Sequence, residues 1–467
     1  MLAARRCLHT SGVAVGVLLA LTVLFRGFAD QSANNPAVSS GVTFDSAARL
    51  YHPEPGTLEA TTVTVTVHKP ASTSPTPLLV KEVATALLKE NLRPEVKYIA
   101  GWPVFGWNNQ VIQYMNLLYL ALITERVPIL APFSPFTSGH VDTATVVNFS
   151  EVFDLPRLQK ELKRPILEWW QVKDSESPMM DELGCWSLER SAWNATWQTP
   201  QPIHLKLDIS YSVAPNWIKL VPEDYNDQQV TFWALAALGF ADTKPVNVTT
   251  VESPATQKSI VPDDQLLCFD NLYFVCAHEA WEFSNRRYAP AWRFVGRHMH
   301  WSSKVQDLAD QYIRKAFLIK PSVQIPPYIT IHVRRGDFRE QCGGVPVNEC
   351  LAPLSAYAKR VEEAKAELRS TKGIRVDHVI MTSDEDDPEW WNEVHGLGWV
   401  SIDHSRTVEE YGPWYPPFID SAIQSGGIGF VATHKSTVSI VADRRVSAWN
   451  SGVVKTVLWG HLGADDH

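Results

Sequence analysis

The sequence predicts an α/β protein built on parallel, doubly wound sheet, and three observations carry that prediction. From residue 329 onward, apolar runs of strand length alternate with helix-period segments, the order that builds parallel sheets. Residues 98–130 show the same order once, as strand, loop, helix and strand. Residues 328–338 read Tyr-Ile-Thr-Ile-His-Val-Arg-Arg-Gly-Asp-Phe, an alternating strand that delivers His332, Arg334 and Arg335 to its C-terminal end. Open α/β sheets hold their ligands at such ends.

Each element has its own signal. Residues 98–102 form a short apolar strand, and Gly106, Trp107, Asn108, Asn109 and Gln110 read as a loop. Residues 111–126 then make a long helix, and residues 127–130 the next strand. The loop opens a helix, where unpaired N–H groups favour an anion or sugar, although Asn108 could equally cap that helix. Between residues 148 and 320, helical patterns appear at 151–163, 231–239 and 304–319, and most of the remainder reads as Trp- and Pro-rich loop. His298 and His300 would share a face in a strand, but no third metal ligand accompanies them. The C-terminal strands are expected at 329–334, 376–382, 398–402, 429–433 and 453–459, with helices at 354–369, 388–394, 417–424 and 436–449.

With 467 residues, 45% of them hydrophobic and 20% charged, the chain can bury a sizeable core. Its 51 acidic residues outweigh 42 basic ones without a basic stripe, which argues against a nucleic-acid partner. Residues 8–25 are uncharged and flanked by Arg5, Arg6 and Arg26. As a helix they span about 27 Å, enough for a thin endomembrane bilayer, and the charge placement favours a type II orientation with a lumenal body. The residues after the apolar run make a poor cleavage site, so a signal anchor is expected over a cleaved signal peptide. Residues 30–79 lean to Ser, Thr, Ala, Asn and Pro and read as a flexible, disordered stem.

Sequons at Asn148, Asn194 and Asn247 agree with passage through the Golgi or endoplasmic reticulum. Of six cysteines, Cys7 would lie on the cytoplasmic side; among the other five, Cys268 with Cys276 and Cys342 with Cys350 share one spacing and suggest local disulfides, with Cys185 left over.

Three places suggest phosphate and nucleotide chemistry. A guanidinium at a strand end grips a diphosphate with parallel hydrogen bonds, and alternation sends Arg334 and Arg335 to opposite faces. Arg334, sharing a face with His332, is taken as the ligand arginine, and Asp337 as the partner of Arg335. Ser436 and Thr437 open a helix after a strand, which suits a phosphate or a plain N-cap. Asp420 offers a carboxylate to ribose hydroxyls or to the paired N–H donors of a guanine edge. Asp384 and Asp386 have the spacing of a divalent-cation pair, yet an arginine neutralises a diphosphate without metal, so no cofactor is expected.

With these residues in hand, the chain resembles the GDP-fucose protein O-fucosyltransferase family and its inverting relatives. The resemblance rests on Gly106 to Gln110, His332 to Asp337, Thr382 to Glu385, and Asp420 followed by Ser436 and Thr437. It implies a GT-B-like fold of two Rossmann-like domains facing a cleft, an acceptor-side domain at 80–320 and a GDP-fucose-binding domain at 321–467, preceded by the anchor at 1–29 and the stem. It further implies that Arg334 stabilises the departing diphosphate and that His332, Asp420, Ser436 and Thr437 contact the donor. Gly106, Trp107, Asn108 and Asn109 would approach sugar and phosphate from the other domain. The implied partners are GDP-fucose and a protein or glycan acceptor. Some relatives carry a loop glutamate that is replaced here by Trp107, Asn108 and Asn109, so the sequence nominates no general base. That absence keeps open a non-catalytic lumenal binder of the same fold, or a transferase using another nucleotide sugar.

Overall fold

The computed structural model describes residues 79–466 except 82, 135–145, 194–200, 225–226, 244, 246 and 286–288, and the side chains of 192–193. The expected anchor and all of the stem but Leu79 therefore lie outside the described residues. Among the described residues no helix is long and apolar enough to cross a membrane.

The first half of the chain supplies strands β1 (Tyr98–Gly101), β2 (Val127–Leu130), β3 (Leu167–Glu168), β4 (Asp181–Ser187), β5 (Leu207–Val213), β6 (Val230–Thr231), β7 (Thr250–Val251), β8 (Leu266–Phe269) and β9 (Val275–Cys276). Seven of them form one sheet in the order β3-β2-β1-β8-β4-β5-β7, parallel except for β7. Helices α1 (Trp107–Thr124), α2 (Leu155–Leu162), α3 (Phe232–Ala237) and α4 (Ser303–Ala316) belong to the same half.

Most of this sheet was read from sequence as loop, for a physical reason. In β4, acidic, glycine and serine residues lie on a buried strand, so neither alternation nor an apolar run marks it. Strand β5 does alternate, but its buried Asp208 is satisfied by the Ser253 hydroxyl and by the Ala255 and Thr256 N–H groups, partners that only the fold supplies. Helix α1 begins at Trp107, a turn earlier than expected, so of the anticipated loop only Gly106 stays outside the helix, as its N-cap. The single helix expected over 151–163 is two, Phe149–Val152 and α2, separated at Phe153 and Asp154 because the Asp154 carboxylate caps the second. His298 ends a short 3₁₀ turn, Gly296–His298, rather than sharing a strand with His300.

The second half follows the predicted order closely. Strands β10 (Tyr328–Val333), β11 (His378–Ser383), β12 (Val400–Ser401), β13 (Gly429–Thr433) and β14 (Val453–Val457) form a 5-stranded parallel sheet in the order β12-β11-β10-β13-β14. Helices α5 (Leu354–Lys372), α6 (Pro388–Gly396), α7 (Thr407–Tyr411), α8 (Tyr415–Gly426) and α9 (Thr437–Trp449) fill the crossovers. The strand order reverses between β10 and β13, a switch point where a ligand crevice forms.

One apolar cluster runs through both halves, including Trp107, Phe133, Phe153 and Trp301 from the first and Trp414, Phe418, Ile419 and Ile423 from the second. Two indole N–H groups fasten it to α8. Trp107 donates to Ser421 Oγ at 2.9 Å and Trp301 to Ser425 Oγ at 2.8 Å, one helical turn apart. Arg445 of α9 is fully buried over the Trp301 ring, and its Nε and Nη2 have no hydrogen-bond partner among the described residues. Burial alone pulls this guanidinium down to about 9.

Disulfides join Cys185 to Cys268 and Cys342 to Cys350. The second pair is the expected one; the first corrects the expected Cys268–Cys276 pair. Strands β4 and β8 are neighbours, which brings Cys185 beside Cys268, whereas Cys276 is a free, buried thiol on β9 in another sheet.

Candidate active site

The C-terminal ends of β10, β11 and β13 are tied together before any ligand is considered. Thr433, the last residue of β13, donates its hydroxyl to the His332 carbonyl at 2.7 Å and accepts the Arg334 N–H and the Tyr357 hydroxyl. Its own N–H donates to Ser439 Oγ at 3.0 Å, and that oxygen lies 2.9 Å from His332 Nδ1. His332 is consequently buried, and desolvation, helped by the nearby Arg334 charge, lowers its pKa to about 3. A neutral imidazole with one nitrogen engaged acts as a positioning group for the strand end. Sequence reading did not find Ser439, which looks like any residue in a helix's first turn.

Arg334 follows β10 and is about one-third exposed. Its Nε pairs with Asp337 at 2.8 Å and its Nη1 with Asp384 at 3.0 Å, and Nη2 takes part in neither pair. The expected pairing of Asp337 with Arg335 is therefore corrected. The chain turns at Gly336 into a 3₁₀ helix, Asp337–Cys342, and three-residue spacing returns Asp337 to Arg334. Arg335 instead shares the buried Glu385 with Arg339 and lies over the Trp390 ring. Burial alone would raise the Glu385 pKa, but the two guanidiniums and a backbone N–H hold it at about 2.

Asp384 also accepts the N–H groups of Arg335 and Gly336, at 2.7 and 3.0 Å. Gly336 leaves room for that carboxylate, since an added Cβ would lie 2.5 Å from Asp384 Oδ2 and force it to shift. The carboxylate that looked like half of a cation pair is thus engaged with Arg334 and this turn. Among the described residues no cluster of three or more His, Cys, Asp or Glu is arranged to hold a metal ion.

Ser436 is the N-cap of α9, its hydroxyl facing the Ser439 N–H, and Thr437 is the half-buried first residue of that helix. Both stand at the switch point, following β13. Asp420 sits in the middle of α8, on the other side of β10, where it lines a cleft of about 310 Å³ with Thr382, Ser383, Trp391, Ile402 and His404. His404 Nε2 lies 2.8 Å from Asp420 Oδ1, a partnership that the sequence did not signal. Arg334, His332, Ser436, Thr437 and Asp420 are thus gathered along the strand ends of one sheet.

The other expected residues stand at the start of α1, beyond the C-terminal end of β1. Trp107 is buried among Phe133, Phe153, Trp301 and Phe418, so its role here is packing between the halves. Gly106 is exposed with open space around it. Asn108 is buried, Asn109 is half-buried, and Asn108 Nδ2 and Asn109 Oδ1 are both buried atoms without a partner among the described residues. Buried polar atoms normally find partners, and here these two share that lack with the nearby Trp102 Nε1.

Parallel sheets that carry arginine, hydroxyl and carboxylate groups at and beside their strand ends define an α/β protein of the kind that holds its ligand at a switch point. The chain belongs to the GDP-fucose protein O-fucosyltransferase family, whose model matches residues 98–445, and it is a glycosyltransferase that transfers fucose from GDP-fucose. Among solved structures, POFUT1 in complex with GDP-fucose is 15% identical, with 79% of this chain and 99% of that chain covered at a TM-score of 0.48. POFUT1 in complex with GDP is 14% identical, covering 78% and 98% at 0.46. Fucosyltransferase NodZ from Bradyrhizobium is 13% identical, covering 75% and 93% at 0.37. No curated protein sequence matches significantly.

Proposed function

We propose that the rim of the five-stranded sheet binds the GDP of GDP-fucose, that α1 meets the sugar from the opposite half, and that a protein or glycan hydroxyl attacks the anomeric carbon with inversion. In this reading the nucleotide base enters the cleft beside Asp420, and the diphosphate lies between Arg334 and the start of α9. Negative charge grows on the β-phosphate as the bond to fucose breaks. Nη2 of Arg334 is available to meet it, and the pairs with Asp337 and Asp384 hold the guanidinium in place beforehand. The Ser436 and Thr437 helix start adds N–H groups and a positive dipole end. Asn108 and Asn109 would find in the sugar the partners they lack in the free protein. The convergence of Arg334, Ser436 and Asp420 on one rim, within a matched family segment, carries this reading.

We further propose that no metal takes part, supported by the engagement of Asp384 with Arg334. A lumenal body anchored by residues 8–25 is supported by two disulfides, which persist in oxidising compartments, and by the exposed sequon residue Asn247. The experiment is a thermal shift with GDP, UDP and GDP-fucose, with and without EDTA. Ligand at about 100 times its Kd adds about 2.7 kcal/mol of stability. Stabilisation by the guanine ligands alone, indifferent to EDTA, is the expected result; no response to GDP contradicts the proposal.

A further inference from the structure

We infer that His404 is a specificity-determining positioning residue, holding the Asp420 carboxylate in the orientation that reads the guanine edge. The inference rests on the GDP-fucose reading above and adds to it a second layer of residues behind the base pocket.

The loop between β12 and α7 carries His404, and hydrogen-bond chemistry gives it one consistent arrangement. Asp420 has only acceptors to offer, so the hydrogen of the bond at 2.8 Å sits on Nε2 of the histidine. In a neutral imidazole Nδ1 is then an acceptor, and the Thr407 hydroxyl, 3.0 Å away, supplies its donor. Thr407 Oγ1 in turn lies 2.6 Å from the Tyr312 hydroxyl, which completes the series. Donors therefore run in one direction, from Tyr312 to Thr407 to His404 to Asp420. Such a chain fixes both the tautomer and the ring orientation.

Helix α4 anchors this loop twice. Tyr312 reaches Thr407, which is fully buried, and Lys315 one turn later pairs with Asp403 at 2.8 Å. The residue that touches Asp420 is thus held by a helix of the first half, while Asp420 belongs to α8 of the second.

What remains of Asp420 is suited to a paired donor. Oδ1 keeps a lone pair beyond the His404 bond, and Oδ2 takes no hydrogen bond from a described residue. Asp420 and His404 line the same cleft as the flat Trp391 ring and the apolar Ile402 and Met381 side chains. Guanine presents adjacent N–H donors on one edge, and a carboxylate with both oxygens in its plane meets them together. Rotation of the carboxylate out of that plane would lose the second contact. A hydrogen bond from a fixed imidazole to one oxygen opposes that rotation.

The test compares binding of GDP with that of inosine diphosphate, which lacks the 2-amino group, for the full chain, His404→Ala and His404→Gln. Hydrolysis of GDP-fucose is followed in parallel. The full chain is expected to prefer GDP by about tenfold, the worth of one charge-assisted hydrogen bond. His404→Ala is expected to bring that ratio near unity and to raise the KM for GDP-fucose about tenfold, with kcat within about twofold. The amide of His404→Gln, donating from its own Nε2, is expected to restore much of the ratio. If His404→Ala does not fold, Thr407→Val removes only the hydroxyl behind the ring and is expected to lower the ratio partway. A folded His404→Ala or Thr407→Val that keeps the full ratio overturns the role of His404, as does a wild type that binds both diphosphates equally. Failure of the wild type to bind GDP at all overturns the GDP-fucose reading instead.

Discussion

The two rims that carry the expected donor contacts differ in how their polar groups are satisfied. On the five-stranded sheet the charges at the rim are engaged: Arg334 with Asp337 and Asp384, Arg335 and Arg339 with Glu385, while the Asp420 carboxylate accepts from His404. At the start of α1, by contrast, Asn108 Nδ2 and Asn109 Oδ1 are buried without a partner among the described residues. A rim whose charges are already oriented loses little to reorganisation when a charged ligand arrives, whereas unmet amides stabilise nothing until a ligand supplies their partners. In the proposed function, that difference would place electrostatic stabilisation of the leaving group on one side of the reaction and recognition of the sugar on the other.

The largest expected effect breaks the first half of that comparison. Arg334→Ala is predicted to lower fucose transfer by about 100-fold or more, measured as kcat, since a preorganised donor to developing charge is removed. Glu385→Gln leaves two guanidiniums with a weaker partner and is predicted to destabilise the protein by about 2–3 kcal/mol in denaturant unfolding. Its loss should appear in stability before it appears in turnover.

Asn108→Leu sharpens the second half. Because its amide nitrogen has no partner to lose, the melting temperature is predicted to hold or rise, while transfer falls about tenfold. A variant that loses stability and keeps activity would reassign Asn108 to the core. Arg445→Met is predicted to raise stability by about 1 kcal/mol, because an unpaired buried guanidinium is removed against the loss of its cation–π contact with Trp301. A fall in stability would mean that the ring contact outweighs desolvation.

A last test is in pH. His332 titrates near 3 when folded and His300 near 4, where burial again is the first cause, against an ordinary value of 6.5. The unfolded chain therefore binds more protons between these values, so stability is retained above about pH 6.5 and lost progressively as pH falls toward 3. His332→Gln is predicted to flatten that slope in melting experiments run across the window.

Much of the second half was legible in the sequence because its strands are apolar and its helices have clean periods and caps, as at Ser436 and α9. The positions of Arg334, Ser436 and Asp420 at strand ends and on α8 followed from that order. Partners were less legible. Alternation alone gave Asp337 to Arg335, and only the 3₁₀ turn after Gly336 returns it to Arg334. Asp384 and Glu385 read as an acidic run, because the guanidiniums of Arg334 and Arg335 that they meet lie about fifty positions away in the chain. In the first half, β4 carries acids and glycine into the interior, and the Cys185–Cys268 bond depends on its pairing with β8. Neither is visible until the strands are side by side.

The central claim is that Arg334 on the paired rim holds the diphosphate of GDP-fucose and stabilises its departure. Calorimetric titration of GDP into the wild-type chain and into Arg334→Ala, beside the rate of GDP-fucose hydrolysis by each, tests it most directly. Saturable GDP binding by the wild type, weakened in the variant and accompanied by near loss of hydrolysis, is the predicted result. Equal GDP affinity and equal hydrolysis in the two proteins would contradict it.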